Sequence, residues 1–222
     1  MNCLTRPGIL RSENGHSVPI AIDGSAGCDA QLWEQFTLGN KAAFDTIYDR
    51  HFQALCDYGD RICGDKSLVE DVVQDLFIYL WIRKERLGKT NAIKFYLFRC
   101  LRRKLMRVLR QQQRRPDRYA LLEIDDHRFQ LSWQRSSELP PEEELRNQLE
   151  AALAQLTDQQ KEAVYLRFYN NLSFQEVATI MDLEVRSVYN LIGRTIAILR
   201  GELRHRTPSA AWLISLFILA LG

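Results

Sequence analysis

A chain of 222 residues that is 46% apolar and 26% charged has material for one large core or two small ones, which excludes a disordered or fibrous class. Its formal net charge of +2 hides a segregation: residues 83–118 hold fourteen Lys/Arg against two acids, and residues 119–150 hold eight acids against three Arg. A basic block followed by an acidic one points to polyanion contact in the first and a different role for the second.

Residues 1–28 mix Gly, Pro, Ser and Asn and hold no apolar run of signal-peptide length; a flexible N-terminal extension is expected. Asn40 then opens a helical pattern through Phe44, Ile47, Tyr48, Phe52, Leu55, Tyr58 and Ile62. Ser67 and Glu70 have the spacing of a capping box and predict a helix through Leu68, Val72, Leu76, Leu80 and Trp81. After a short loop at 87–91, a long helix is expected over 92–115. Its apolar stripe is Ile93, Tyr96, Leu97, Cys100, Leu101, Leu105 and Val108, its other faces are basic, and Pro116 stops it.

Residues 116–141 lack sustained periodicity, carry acids and end in a Pro pair, as an acidic linker does. Beyond it 142–156 has a helical pattern. Thr157 with Gln160 starts a helix to about Tyr169, and Asn170–Asn171 turn the chain. Ser173 with Glu176 caps a short helix, Asp182 and Leu183 turn again, and a last helix carries Val185, Val188, Ile192, Ile196 and Leu199. The tail at 207–222 includes the uncharged apolar run 210–221. Twelve helical residues reach roughly 18 Å, short of a bilayer core. That run suits packing on the protein or a partner, and it also allows weak membrane contact along a surface. The fold class is therefore all-α: two helical domains, 29–115 and 142–206, joined by a linker. The second is a helix-turn-helix (winged-helix-like) domain.

The pattern from 172 to 200, a capped short helix, a tight turn and a second amphipathic helix, places its second helix in a DNA major groove. With Val185, Val188 and Ile192 inward, Arg186, Ser187, Tyr189, Asn190 and Arg194 face outward. Arg suits guanine, Asn suits adenine, and Ser or Tyr reach base edges or phosphates. A helical hairpin with a solvated polar face is the plain alternative. In the basic helix, Lys94, Arg99, Arg102, Arg103, Lys104, Arg107, Arg110, Arg114 and Arg115 repel one another at three- and four-residue spacing. A phosphate backbone relieves that repulsion, and the interleaved Phe95, Tyr96 and Phe98 suit unstacked bases. Five cysteines show no Cys-x-x-Cys pair, which argues for reduced, cytoplasmic thiols and against a metal site. No Gly-rich phosphate loop and no nucleophile beside a base is recognisable, so neither catalysis nor a cofactor is expected. Two rivals remain at this level: a DNA-binding regulator that acts alone, and a membrane-tethered adaptor working through its tail.

Over 29–206 the chain resembles the extracytoplasmic-function (ECF) sigma factors of the sigma-70 family. The resemblance is carried by VEDVVQDLFIYLW (69–81), YLFRCLRRKLMRVLRQQQR (96–114) and QKEAVYLRFYNNLSFQEVATIMDLEVRSVYNLIGRTIAILR (160–200). It implies a cytoplasmic transcription initiation factor with core RNA polymerase, promoter DNA and an anti-sigma factor as partners. By the same resemblance, Asp71, Gln74, Asp75 and Leu76 would dock on the polymerase. Asn91, Lys94, Arg99, Arg102, Arg103, Arg107 and Arg110 would hold the melted downstream (−10) element, and Arg186, Ser187, Tyr189, Asn190 and Arg194 would read the upstream (−35) element. The chain departs from the family where Arg102–Arg103 replaces a frequent Arg-Asn and where Leu191 replaces a frequent Arg.

Overall fold

The computed structural model describes residues 25–113 and 151–204. The expected extension before residue 25, the linker at 116–141 and the tail at 207–222 lie outside the described residues. No strand forms among the described residues, so the helix-turn-helix carries no β-wing there.

The first lobe holds four helices, α1 (Ser25–Thr37), α2 (Lys41–Cys63), α3 (Lys66–Arg83) and α4 (Ile93–Gln113), with a 3₁₀ turn at Lys84–Arg86. Helix α2 begins where Asn40 predicts: its side-chain oxygen accepts from the amides of Ala42 and Ala43 at 2.9 and 3.3 Å. It ends at Gly64, which takes the left-handed conformation (φ 69°) and returns its amide to the Asp60 carbonyl. That tight ending moves the next cap. Asp65, not Ser67, accepts from the Leu68 amide at 3.0 Å and starts α3 at Lys66, so the predicted Ser67–Glu70 box does not form.

Helix α1 is a finding rather than an expectation. It starts inside the stretch read as a flexible extension, and its anchors Trp33 and Phe36, both buried, are too few to set a period in sequence. They tie it down from both ends. The Trp33 indole donates to the Gly88 carbonyl at 2.9 Å, and the Asp29 carboxylate accepts from the Ile93 amide at 3.1 Å, satisfying an orphan donor at the start of α4.

Ile47, Leu55 and Ile62 of α2 pack with Val69, Val73, Phe77 and Leu80 of α3 and with Leu97, Leu101 and Leu105 of α4, all buried. Each such side chain contributes about 1.5–3 kcal/mol by leaving water. The helices approach closely at Gly59, where an added Cβ would lie 2.6 Å from Val69 Cγ1 and 3.3 Å from Leu105 Cδ1.

His51 sits on α2 near Asp29, Lys94 and Arg50, and burial lowers its pKa to about 4 against the partial pull of Asp29. A depressed histidine favours the neutral ring in the fold, so its contribution is complete above the unfolded value near 6.5 and fades as pH falls toward 4. Because His51 is only part-buried and solvent screens it, about 1–2 kcal/mol of acid-sensitive stability is expected. Denaturant titrations at pH 7 and pH 4.5 check this: His51→Gln should lose less stability across the interval than the parent. An equal loss would assign the acid sensitivity elsewhere.

The second lobe comprises a helical turn at 151–154, then α5 (Asp158–Val164), α6 (Phe174–Met181) and α7 (Val185–Arg204). Helix α5 runs on through a π-helical turn at Tyr165–Tyr169. Both predicted capping boxes are present, Thr157 with Gln160 and Ser173 with Glu176. Leu166, Leu172, Val177, Ala178, Val188 and Ile192 form the buried centre.

Candidate nucleic-acid interface

Helices α6 and α7 form the helix-turn-helix. Ser173 Oγ accepts from the Glu176 amide at 3.3 Å while Glu176 Oε2 accepts from the Ser173 amide at 2.8 Å, fixing where α6 begins. At its end Asp182 takes the left-handed conformation (φ 59°), and the Leu183 amide donates to the Ala178 carbonyl at 2.9 Å. Helix α7 then buries Val188 and Ile192, and the Thr195 hydroxyl is spent on the Leu191 carbonyl. Arg186, Ser187, Tyr189, Asn190 and Arg194 are all exposed, as their spacing predicts.

Tyr189 is less free than its exposure of 54% suggests. Its ring stacks on Phe174 with centroids 4.0 Å apart and planes 13° from parallel. The Arg167 guanidinium lies over the same Phe174 ring, 5.1 Å from the centroid. Sequence reading missed this stack, which braces α7 against the start of α6.

The basic helix α4 divides into two sets. Asn91, before its start, and Arg103, Arg107 and Arg110 are exposed. The three arginines line an open cleft of about 520 Å³ with Arg102 and Met106, which Ile180 and Asp182 of the second lobe also line. Neutralising Arg107 and Arg110 together to Ala should flatten the logarithmic salt dependence of polyanion binding by about two counterion units. A fluorescence-anisotropy series between 50 and 200 mM salt would show it, and an unchanged slope would deny both residues a phosphate contact.

The other set, Lys94, Arg99 and Arg102, is part-buried. Lys94 donates to the Asn170 carbonyl at 2.8 Å, and burial lowers its pKa. Arg99 is half-buried, its Nε enclosed without a hydrogen-bond partner among the described residues. Arg102 Nε donates to Glu162 Oε1 at 2.8 Å and its Nη2 to Oε2 at 3.4 Å. The same Glu162 accepts from the Tyr58 hydroxyl at 2.6 Å. Burial and then the Glu162 charge hold Tyr58 well above its ordinary pKa; on Arg102 burial works against the proton, yet the pull of Glu162 outweighs it and raises the pKa. Tyr58 also stacks on Tyr165 at 6.0 Å, with the Arg61 guanidinium 4.7 Å from the Tyr165 ring centre. Tyr58, Glu162, Tyr165 and Asn170 were not among the sequence-predicted site residues. One signal for them existed, a carboxylate at Glu162 at the head of the apolar run 163–166.

On α3, Asp71, Gln74 and Asp75 are exposed, and Asp75 pairs with Lys104 at 3.0 Å. Leu76 corrects the expected set. At 4% exposed it belongs to the core, because it falls one position past the polar stripe and onto the face covered by α2 and α4. Ile78 (56% exposed) and Ile82 (70%) instead continue the Asp71–Asp75 face, with Tyr79 beside them. An apolar strip next to carboxylates has the make-up of a protein-docking surface. Among the described residues, no group of three His, Cys, Asp or Glu is placed to hold a metal ion, and no helix is long and apolar enough to cross a membrane.

The family model described as Sigma-70 region 2 matches residues 47–115, and that described as Sigma-70, region 4 matches residues 146–199. The ECF RNA polymerase sigma-E factor of Haemophilus influenzae is 26% identical over 181 residues, covering 79% of this chain and 95% of its own. The RNA polymerase sigma factor CnrH of Cupriavidus metallidurans is 27% identical over 175 residues, covering 76% and 91%. Among solved structures, CnrH in complex with the cytosolic domain of CnrY aligns over 81% of this chain and 99% of its own, with a TM-score of 0.51 and 24% identity. The sigma factor RpoE from Bartonella quintana, in complex with the anti-sigma factor NepR, aligns over 74% and 98% with a TM-score of 0.52 and 17% identity. These two likenesses carry the fold.

Proposed function

The chain belongs to the ECF group of the sigma-70 family, and on that premise we propose that it brings core RNA polymerase to promoters and helps to open them, itself catalysing nothing. The carrying observation is that region 2 and region 4 occur in order on one chain, each with exposed basic side chains suited to DNA. A regulator acting alone would not need a region 2 lobe.

In this reading residues 29–115 form the region 2 domain, 116–141 the acidic linker and 142–206 the region 4 domain. Arg186, Ser187, Asn190 and Arg194 read the −35 element in the major groove, with Tyr189 reaching it through its hydroxyl. Asn91, Arg103, Arg107 and Arg110 track the backbone of the melted −10 strand. Lys94 and Arg102 join them once freed from the second lobe, and Arg99 joins them from its half-buried place on α4. Polymerase contacts fall to Asp71, Gln74 and Asp75, with Ile78 and Ile82 supplying the apolar area that Leu76 does not. An anti-sigma partner is part of the proposal, as is action in the cytoplasm, where promoter DNA lies.

Run-off transcription with purified core polymerase on promoter fragments tests the reading. Transcripts that depend on the added chain, together with its capture by core polymerase in the absence of DNA, are expected. A chain that binds DNA yet is never retained by core polymerase would sink it.

A further inference from the structure

Glycine inside a helix is unfavourable, because it gives up more chain freedom on folding than Ala and has no side chain to pack. At Gly59 of α2 the fold supplies the reason, since a Cβ there would meet Val69 and Leu105. Gly193 of α7 has no such reason. It is exposed, α7 runs through it unbroken, its φ is not left-handed, and an added Cβ would stand in open space.

The helix surface around it is equally bare. Side chains on a helix lean toward its N-terminus, so the backbone at 193 is covered chiefly from the next turn, where Ala197 offers only a methyl group. On the preceding turn the Tyr189 ring is held against Phe174 of α6, with centroids 4.0 Å apart. This bare turn belongs to the reading face. At about 100° per residue Gly193 falls within about 20° of Arg186 around the axis and about 10 Å beyond it, with Asn190 between them. Val188, Ile192 and Thr195 are buried on the other side.

We propose that Gly193 sets the depth at which α7 lies in the major groove: its missing side chain lets the duplex come against bare helix backbone, and only at that depth do Arg186 and Asn190 reach base edges. The inference rests on the reading of α7 as the reader of the upstream element. Gly193 is then a specificity-determining position that makes no base-edge hydrogen bond of its own. A side chain there holds the helix off the DNA by about 1–2 Å or more. Hydrogen bonds to base edges need separations near 2.9 Å and are gone beyond about 3.5 Å. The pull of the phosphates fades over a Debye length of about 8–10 Å. Lifting α7 therefore removes sequence reading first and costs general affinity little.

The test uses the full chain, bound to core polymerase for the DNA measurements and alone for thermal melts. The probe is a promoter fragment that gives a chain-dependent transcript, beside the same fragment with its upstream element shuffled. Gly193→Ala and Gly193→Leu should melt at or above the parent midpoint, because both residues form helix better than Gly. Binding should move the opposite way. On the promoter fragment Gly193→Ala should lose about threefold and Gly193→Leu about 50-fold, approaching the loss of both base readers. On the shuffled fragment each should lose less than about threefold. Adding Gly193→Leu to the Arg186→Ala, Asn190→Ala pair should cost at most about twofold more, since the contacts it breaks are already gone. Gly201, equally open but about 12 Å farther along α7, is the control, and Gly201→Leu should bind both fragments as the parent does. Parent-like promoter binding by Gly193→Leu would overturn the proposal. Equal losses on the two fragments, or as large a loss from Gly201→Leu, would overturn it too. If the parent itself binds both fragments alike, α7 does not read sequence and the role of Gly193 falls with that reading. A parent and a Gly193→Leu variant that discriminate equally well would sink the depth-setting role alone.

Discussion

Replacing Arg186 and Asn190 together with Ala should weaken binding to a specific promoter by about 100-fold, while retention by core polymerase is unchanged. Both side chains are exposed on α7 and sit four apart, on one face of the helix. An Arg on guanine and an Asn on adenine each discriminate by about 1–3 kcal/mol, so losing both costs between roughly 30-fold and about 20,000-fold. Folding is spared, because neither residue has a packing role and Ala is the best helix former. Affinity for a scrambled duplex should fall much less, by no more than one phosphate contact. Gel-shift titrations at one fixed salt concentration, run on promoter and scrambled duplex side by side, measure the difference. Equal losses on both duplexes would mean that these residues position the protein and do not read sequence.

The second large effect is on stability. Gly59→Leu should destabilise the first lobe by about 3 kcal/mol, lowering the thermal midpoint by roughly 6–12 °C. Gly59 lies mid-helix, where Gly ordinarily costs about 1 kcal/mol relative to Ala. It is there because α2 meets α3 and α4 so closely that a Cβ would stand 2.6 Å from Val69 Cγ1. A branched side chain has no route out of that contact without displacing α3. Pairing the substitution with Val69→Ala should recover part of the loss by clearing the nearest atoms. A melt of Gly59→Leu that matches the parent would mean that the helices part without cost.

Much of this architecture was legible in local chemistry. Asn40, Thr157 and Ser173 cap helices because each offers an oxygen to amides that no turn of helix satisfies, and that requirement is met within three residues. Asp182 marked the turn of the helix-turn-helix for the same kind of local reason. The outward set on α7 followed from the period of Val188 and Ile192. Where the reading slipped, a neighbour intervened. Ser67 lost its cap to Asp65 because Gly64 ended α2 abruptly, and Leu76, which spacing alone puts on the apolar stripe of α3, was counted among the polymerase contacts only through the family resemblance. The exposed Ile78 and Ile82 went unnoticed, since apolar residues on a helix are presumed inward until the other elements show which face they cover.

By itself, then, the amino-acid order determined the helices, their caps, the charge-dense α4 and the reading face of α7, all of which follow from spacing over one or two turns. Tertiary structure alone decided which cations of α4 face solvent and which are tied down. Tyr58 and Glu162 stand 104 positions apart, and Arg102 and Glu162 stand 60 apart. A hydrogen bond across such a distance leaves no periodic trace in the chain, because it depends on how two finished lobes meet and not on how either one is wound.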